Sequence, residues 1–317
     1  MTAISTPSAK QNTRSAWRRQ EELTAWLFAS PALILLSIFL ILPFLMAIGF
    51  SFTDQRLVPN PNLSTQFVAI RNYTRLFEDQ IFQRALAFTF LFVIIVVPLQ
   101  TFLALLLAIF VNQKLPQINL FRAIYFVPVT LMMVVVTIIW AYLLNPSQGL
   151  INEVLFNISG GFLTPDRFPI LNWTQDNNGA RASIIILSMW QGVGFQMVIY
   201  LAGLQEIPRS TYEAAEIDGA NKVQQFFYVT IPMLRNTTIF VVIATTILAF
   251  GLFDQVQVMT QGGPRDATQT MILYLYTLGF TRGRVGLASA LGTFYFILVL
   301  VIALIQRRII AEERQVQ

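Results

Sequence analysis

Six stretches of this chain are long and apolar enough to cross a bilayer as helices, and nothing else in the sequence limits the fold as strongly. A hydrocarbon core of about 30 Å takes ~20 residues of helix. Within it each backbone N–H and C=O must find a partner inside the protein, a requirement that a helix meets by itself. The stretches run near Ala25–Phe50, Ala85–Val111, Ala123–Leu144, Ser183–Leu204, Thr237–Val258 and Gly286–Ile305. The expectation is an all-α, polytopic membrane protein with six transmembrane helices. Composition agrees: 55% of residues are hydrophobic and 12% charged, more apolar surface than a soluble domain of 317 residues could bury. The first stretch is too long for a signal-peptide core and follows a polar segment, so cleavage is not expected.

Cysteine and histidine are absent. Thiol nucleophiles, imidazole bases, disulfides and the common zinc, haem and iron–sulfur ligand sets are thereby excluded. The net charge of +5 comes from Lys and Arg that are scattered or flank apolar stretches, which points to membrane topology and not to nucleic-acid binding. With the N-terminus inside, the interior segments hold Lys10, Arg14, Arg18, Arg19, Lys114, Arg122, Arg209, Lys222, Arg235, Arg307, Arg308 and Arg314. The exterior ones hold Arg56, Arg71, Arg75, Arg84, Arg167, Arg181, Arg265, Arg282 and Arg284. Both termini are therefore expected in the cytoplasm. Exterior connections carry turn-rich sequence: "RLVPNPNLS" from Arg56, "LNPSQG" from Leu144 and "TQGGPRD" from Thr260. "MILYLYTLGF", Met271–Phe280, is too short to span and is read as an interfacial or protein-covered helix. Pro31, Pro43, Pro98, Pro128 and Pro232 predict kinks.

The longest interior connection, 207–235, is polar and helix-forming. Ser210 and Glu213 fit a capping box opening a helix over Thr211–Asp218 that Gly219 ends. Asn221 and Gln224 repeat the spacing for a second start, and Val223, Phe226, Phe227 and Thr230 fall on one helical face. A two-turn helix is marginal alone. The residues leave two readings open, a connector packed on its own chain or a docking element for a cytoplasmic partner.

Polar groups inside spans are costly and tend to face a bundle interior or a watery cavity. The fourth span offers Ser188, Trp190, Gln191 and Gln196; the fifth offers Thr245 and Thr246, with Asp254, Gln255 and Gln257 at its outer end. Uncharged amides, hydroxyls and rings suit a polyhydroxylated solute. Interhelical hydrogen bonding is the competing use of the same residues.

Glu213-Ala214-Ala215, three residues, Gly219, nine residues, then Val229-Thr230-Ile231-Pro232 resembles the EAA motif, E-A-A-x3-G-x9-I-x-L-P, of ATP-binding-cassette importer permeases. Val229 and Ile231 replace the isoleucine and the leucine of that pattern. "FRAIYFVPVTLMMVVVTIIWAYLLNPSQGLIN", "MWQGVGFQMVIYLAGLQEIP", "LFDQVQVMTQGGP" and "GLASALGTFYFILVL" are similar to the sugar branch of that family, of maltose and glycerol-phosphate type. The likeness covers the chain from about residue 24 onward.

The resemblance implies a type I importer (MetI-like) permease fold: a cytoplasmic segment 1–23, a permease domain 24–306 and a cytoplasmic tail 307–317. It implies a bacterial inner-membrane subunit that moves a carbohydrate or related polyol by alternating access. Its partners would be a second permease in a heterodimer, two ATPase subunits holding ATP and Mg, membrane lipid and an extracytoplasmic solute-binding protein. This chain would bind no cofactor and would not be an enzyme, in keeping with the absence of a G-x-x-x-x-G-K-[ST] loop. By the same likeness Glu213, Ala214, Ala215, Asp218, Gly219 and Pro232 would couple to the ATPase. Ser188, Gln191, Gly192, Phe195, Thr245, Leu248, Ala249 and Leu252 would line the solute cavity, the last four on one helix face. Three of them are apolar where the maltose type carries polar groups, so the partner permease is an alternative site. "TQGGP" is either a contact for the binding protein or a tight turn.

Two other classes fit less well. A secondary transporter places ionisable residues or broken helices near the midplane, and the span centres hold no Asp, Glu, Lys, Arg or His. A membrane-embedded enzyme needs an acid–base or metal constellation that is hard to build without His and Cys.

Overall fold

The computed structural model describes residues 9–58, 64–113 and 116–311, with side chains from 21 to 308 within those limits. Part of the "RLVPNPNLS" loop (59–63), Lys114 and Arg314 lie outside the described residues, as do the side chains of Lys10, Arg14, Arg18 and Arg19. The described chain is helical, with an isolated bridge between Thr53 and Phe67.

The first span is α1 (Ala9–Leu36), a π-helical turn (Ser37–Ile41) and α2 (Leu42–Ser51). Pro31 sits inside α1 without ending it, and Pro43 opens α2, where a missing N–H costs nothing. No side chain of Glu21–Leu36 is buried, and α2 alone packs on the body, through Phe44 against Phe296 with ring centroids 4.7 Å apart. Residue 24 is not an element boundary, because α1 runs through it. The helix α3 (Arg71–Glu78) leads into α4 (Gln80–Val111), whose start is capped by Asp79 Oδ1 accepting from the Ile81 N–H at 2.8 Å. Pro98 leaves α4 continuous.

The third predicted span is not one straight helix. It is α5 (Ile118–Thr130) and α6 (Met133–Leu143), bent by 99° at Leu131–Met132. Pro128 has no N–H to continue the ladder, and the helix ends two residues after it. Among the described residues five helical segments are long and apolar enough to cross a membrane, or six if the bent pair is one span.

Helix α7 (Leu150–Ile158) and a 3-10 turn (Pro169–Leu171) precede α8 (Asn177–Glu206), capped by Asp176 accepting from the N–H groups of Asn178 and Gly179. Then come α9 (Arg209–Ile217), α10 (Lys222–Gln225), a π-helical turn (Phe226–Thr230) and α11 (Ile231–Met233). They are followed by α12 (Arg235–Phe250), α13 (Asp254–Met259), α14 (Met271–Tyr276) with a π-helical turn (Thr277–Thr281), and α15 (Val285–Ala311). The short apolar segment of α14 and its π-helical turn is covered by protein on one face, where Met271, Tyr274 and Leu278 have no exposed surface, while Tyr276 and Phe280 are exposed.

Helix α4 is the central post, packed on α8, α12 and α14. In lipid, helices associate through close packing of small residues and not through the hydrophobic effect. Accordingly Ala85, Ala104 and Ala108 of α4 and Ala180 and Gly203 of α8 are buried. The connections read as exterior gather at one end of the bundle. Arg84 bonds Asp266 at 3.2 Å, the Arg181 guanidinium donates to the Ala267 carbonyl at 2.9 Å, and the Tyr274 hydroxyl donates to Asp79. The 30 residues of α8 run ~45 Å from that end to the opposite one, where α9 and α10 lie.

Candidate solute cavity and coupling loop

A cavity of about 340 Å³ lies between α4, the α5–α6 bend, α8 and the α12–α13 break. All eight residues expected to line a solute path border it: Ser188, Gln191, Gly192, Phe195, Thr245, Leu248, Ala249 and Leu252. Gln191 and Gly192 sit halfway along α8. The single-face picture of the fifth span needs correcting. Helix α12 stops at Phe250 and Leu252 lies in the break, reaching the cavity from outside the helix. The break is sustainable because hydroxyls take up its carbonyls: Thr270 Oγ1 donates to Leu252 O at 3.0 Å and the Tyr295 hydroxyl donates to Phe250 O.

Several polar residues of the fourth and fifth spans hold helices together. Gln196 Nε2 donates to Thr245 Oγ1, and Thr245 in turn donates to the Val241 carbonyl at 2.6 Å. Gln255 Nε2 donates to Ser188 Oγ at 3.3 Å, and Gln306 Nε2 to Thr246 Oγ1 at 3.0 Å. The Gln191 amide makes no hydrogen bond to a described residue and faces the cavity. Asp254 is the one charged residue of the lining. Phe92, Val96 and Gln100 on α4, and Val129 and Met133 at the bend, also line it and were not expected. The available signal was Gln100, the sole amide between residues 85 and 111. Among the described residues no group of three or more Asp or Glu is placed to hold a metal.

At the other end, α9 begins at Arg209, two residues before the expected start at Thr211. Pro208 is its N-cap and the Ser210–Glu213 box does not form, because Pro208 already has φ −62° and ends the extended segment at Arg209. The end of α9 follows expectation. Gly219 has φ +82°, its N–H bonds Glu216 O at 3.1 Å, and the Ala220 N–H bonds Ala215 O at 2.9 Å, the two bonds of a Schellman end. The second start also forms in full: Asn221 Oδ1 accepts from the Gln224 N–H at 2.9 Å, and Gln224 Oε1 from the Asn221 N–H at 2.8 Å. Lys222 Nζ to Glu216 Oε1, 2.5 Å, clips the two helices across Gly219 and holds the Glu216 carboxyl below its usual range.

The face expected at Val223, Phe226, Phe227 and Thr230 is different. The buried residues are Gln225 and Thr230, while Val223 and Phe227 are exposed, and the π-helical turn takes Thr230 off the face that Val223 and Phe227 share. Tyr212 ties α9 to that turn through its hydroxyl, 2.9 Å from Thr230 Oγ1. Glu213, Ala214, Asp218, Gly219 and Pro232 are exposed and Ala215 is half-buried. Around them Ile217 is 87% and Tyr228 79% exposed.

An all-α bundle of apolar helices with a mid-span cavity at its core and a capped two-helix loop at one end is the architecture of a polytopic membrane protein. The chain belongs to the family of binding-protein-dependent transport system inner membrane components, whose model matches residues 80–314. It is 33% identical to the probable ABC transporter permease protein YurN of Bacillus subtilis (strain 168), over 91% of this chain and 96% of that one. It is 35% identical to the lactose transport system permease protein LacF of Rhizobium radiobacter, over 84% of this chain and 87% of that one. The fold is shared with a bacterial alginate ABC transporter crystallised in complex with an alginate pentasaccharide-bound periplasmic protein. That chain superposes with a TM-score of 0.79 at 22% identity, over 95% of this chain and 98% of that one. The protein is thus a permease subunit of a binding-protein-dependent ABC importer in the inner membrane, and not itself an enzyme.

Proposed function

We propose that this permease passes an uncharged carbohydrate or related polyol through the cavity by alternating access. The observation that supports this most is the lining: the uncommitted amides of Gln100 and Gln191 and the rings of Phe92 and Phe195 at mid-span in a largely apolar wall, with one carboxylate and no cation. Such groups donate to and accept from hydroxyls while Phe195 covers an apolar sugar face. The naming of relatives for lactose and other saccharides points the same way. Gln191, whose amide is uncommitted, is the residue that holds the solute, with Ser188, Gly192, Phe195, Thr245, Leu248, Ala249 and Leu252 shaping the site.

The loop 207–235 faces the cytoplasm, as do both termini, and translocation is carried by the unit 24–306. A short helix with an exposed apolar tip is stabilised by a partner's groove, and α9 offers such a tip at Ile217 beside Glu213, Ala214, Ala215, Asp218 and Gly219. The partner is one of two ATPase subunits carrying ATP and Mg; Pro232 stands where the loop turns into the fifth span, and a second permease completes the pathway. Reconstitution tests the whole: uptake into proteoliposomes must need ATP, the second permease and the binding protein, and calorimetry on that binding protein must show a neutral saccharide or polyol as its ligand. Uptake driven by an ion gradient without ATP would reject the proposal.

A further inference from the structure

We infer that Gln100 on α4 is a further solute-contacting residue, and that position 192 on α8 is glycine to make room for its amide. This rests on the reading of the cavity as the solute path. Gln100 is only 5% exposed, yet its amide makes no hydrogen bond to a described residue and borders the cavity. The other two buried glutamines of the lining are engaged, Gln196 with Thr245 and Gln255 with Ser188.

Phe92 and Val96, two turns and one turn before it, share its wall. Gln100 is therefore the one polar group that α4 offers the cavity. A Cβ built on Gly192 would lie 2.2 Å from Gln100 Nε2, so the amide fills a notch over the α8 backbone that any side chain would close. Gln100 and Gln191 are thus brought to the same cavity from two helices, both without a side-chain hydrogen bond among the described residues.

The Gln100 amide is not sealed but open to the cavity, so the hydrogen bonds it lacks among the described residues are available to whatever enters. A primary amide donates through nitrogen and accepts through oxygen. Adjacent hydroxyls of a saccharide do the reverse, so Gln100 can hold a neighbouring pair of them. With Asp254 the only charge in the lining, the class that fits is neutral and hydroxylated, and an acidic sugar is disfavoured.

The test uses the complete importer in proteoliposomes. Its binding protein is first titrated by calorimetry with lactose, maltose and arabinotriose, and the saccharide that binds is radiolabelled and used at saturating binding protein. Gln100→Leu, which keeps bulk and removes the amide, is expected to lower initial uptake at least tenfold. Gln100→Asn, which retains a shorter amide, should recover uptake to within about threefold of the parent, and Gly192→Ala, which displaces the amide, should follow the leucine variant. Uptake by Gln100→Leu within twofold of the parent would overturn the inference, as would equal impairment of the Asn and Leu variants at matched amounts of assembled complex. If the leucine variant does not assemble, normal uptake by Gly192→Ala overturns it instead. A charged or non-hydroxylated ligand on the binding protein would reject the carbohydrate reading itself, and the role of Gln100 with it.

Discussion

Gln196 and Thr245 join the fourth and fifth spans at the cavity wall, with Gln196 Nε2 donating to Thr245 Oγ1 at 2.5 Å and Gln196 Oε1 left without a partner. The pair is buried on both sides. Its geometry makes Thr245 a relay, because its own proton goes to Val241 O.

Interhelical hydrogen bonds of this kind contribute about 0.6 kcal/mol on average and up to ~1.7 kcal/mol. Thr245→Val removes the acceptor and strands a buried amide, a loss of about 1–3 kcal/mol. Gln196→Met removes the amide at similar volume and is expected to cost less than Thr245→Val. The double variant should then be no less stable than Thr245→Val alone. Denaturant titration of the purified complex checks the order; additive losses would show that the two side chains do not interact.

Gln191→Ala removes the uncommitted amide from mid-span without disturbing any hydrogen bond within the protein. Uptake is expected to fall tenfold or more, equivalent to ~1.4 kcal/mol of lost solute interaction, while thermal stability stays within the small range of a substitution that breaks nothing. Initial-rate uptake paired with a thermal melt measures both. Unchanged uptake would remove Gln191 from the solute site.

Gly219 occupies the left-handed region at φ +82°, with no atom within 4 Å of where a Cβ would stand. The cost of Gly219→Ala is therefore backbone strain alone, ~1–2 kcal/mol, and Gly219→Pro is worse because its N–H bonds Glu216 O. Both should lower the ATP turnover stimulated by loaded binding protein, Pro more than Ala. Full stimulation in Gly219→Pro would end the claim that this turn transmits motion.

Glu216 titrates below its usual value because Lys222 stabilises its charged form, with Gln225 second. A depressed carboxylate contributes its stabilisation above the unfolded pKa, and that contribution disappears as pH falls through the folded value. The clip is hence intact at pH values above the ordinary carboxylate range. Hydrogen exchange across 217–222 should be unaffected by the state of this pair over that window and change only in stronger acid. Since both side chains are exposed, Lys222→Gln is expected to have little effect on stability.

The span count and the loop spacing were legible because they depend on local sequence: apolar length, Gly219, and the Asn221–Gln224 pair. What escaped depends on neighbours. Ser210 has the right residue three positions on, but Pro208 begins the helix earlier. Pro128 announces a kink, whereas its 99° magnitude is set by how α5 and α6 pack separately on the body. The separation of Thr230 from the face of Val223 and Phe227 follows from one wide turn, and adding a residue to a turn moves the face by about 100°. Gln100 is visible as a lone amide in "VVPLQTFLALLL", but only the rotation of α4 against Gly192 shows what it faces.

Tyr212 is the side chain by which α9 is tied to the turn leading into the fifth span. Its hydroxyl meets Thr230 Oγ1 at 2.9 Å, and its ring packs against the cluster built on Tyr200, Leu204 and Leu234. Helix α9 itself has no buried residue, so movement imposed on it reaches the fifth span through this joint and the chain itself. Tyr212→Phe keeps the ring and removes one hydrogen bond, about 1 kcal/mol; Tyr212→Ala removes the packing as well. The expected order is a small loss of solute uptake per ATP hydrolysed for Phe and a large one for Ala, with the ATPase subunits still bound to the complex. Measuring uptake and ATP hydrolysis on the same vesicles separates transmission from assembly. If Tyr212→Ala retained the parent ratio, force would have to pass through the Lys222–Glu216 clip and the backbone of 218–230, and the hydroxyl pair would be a local tether.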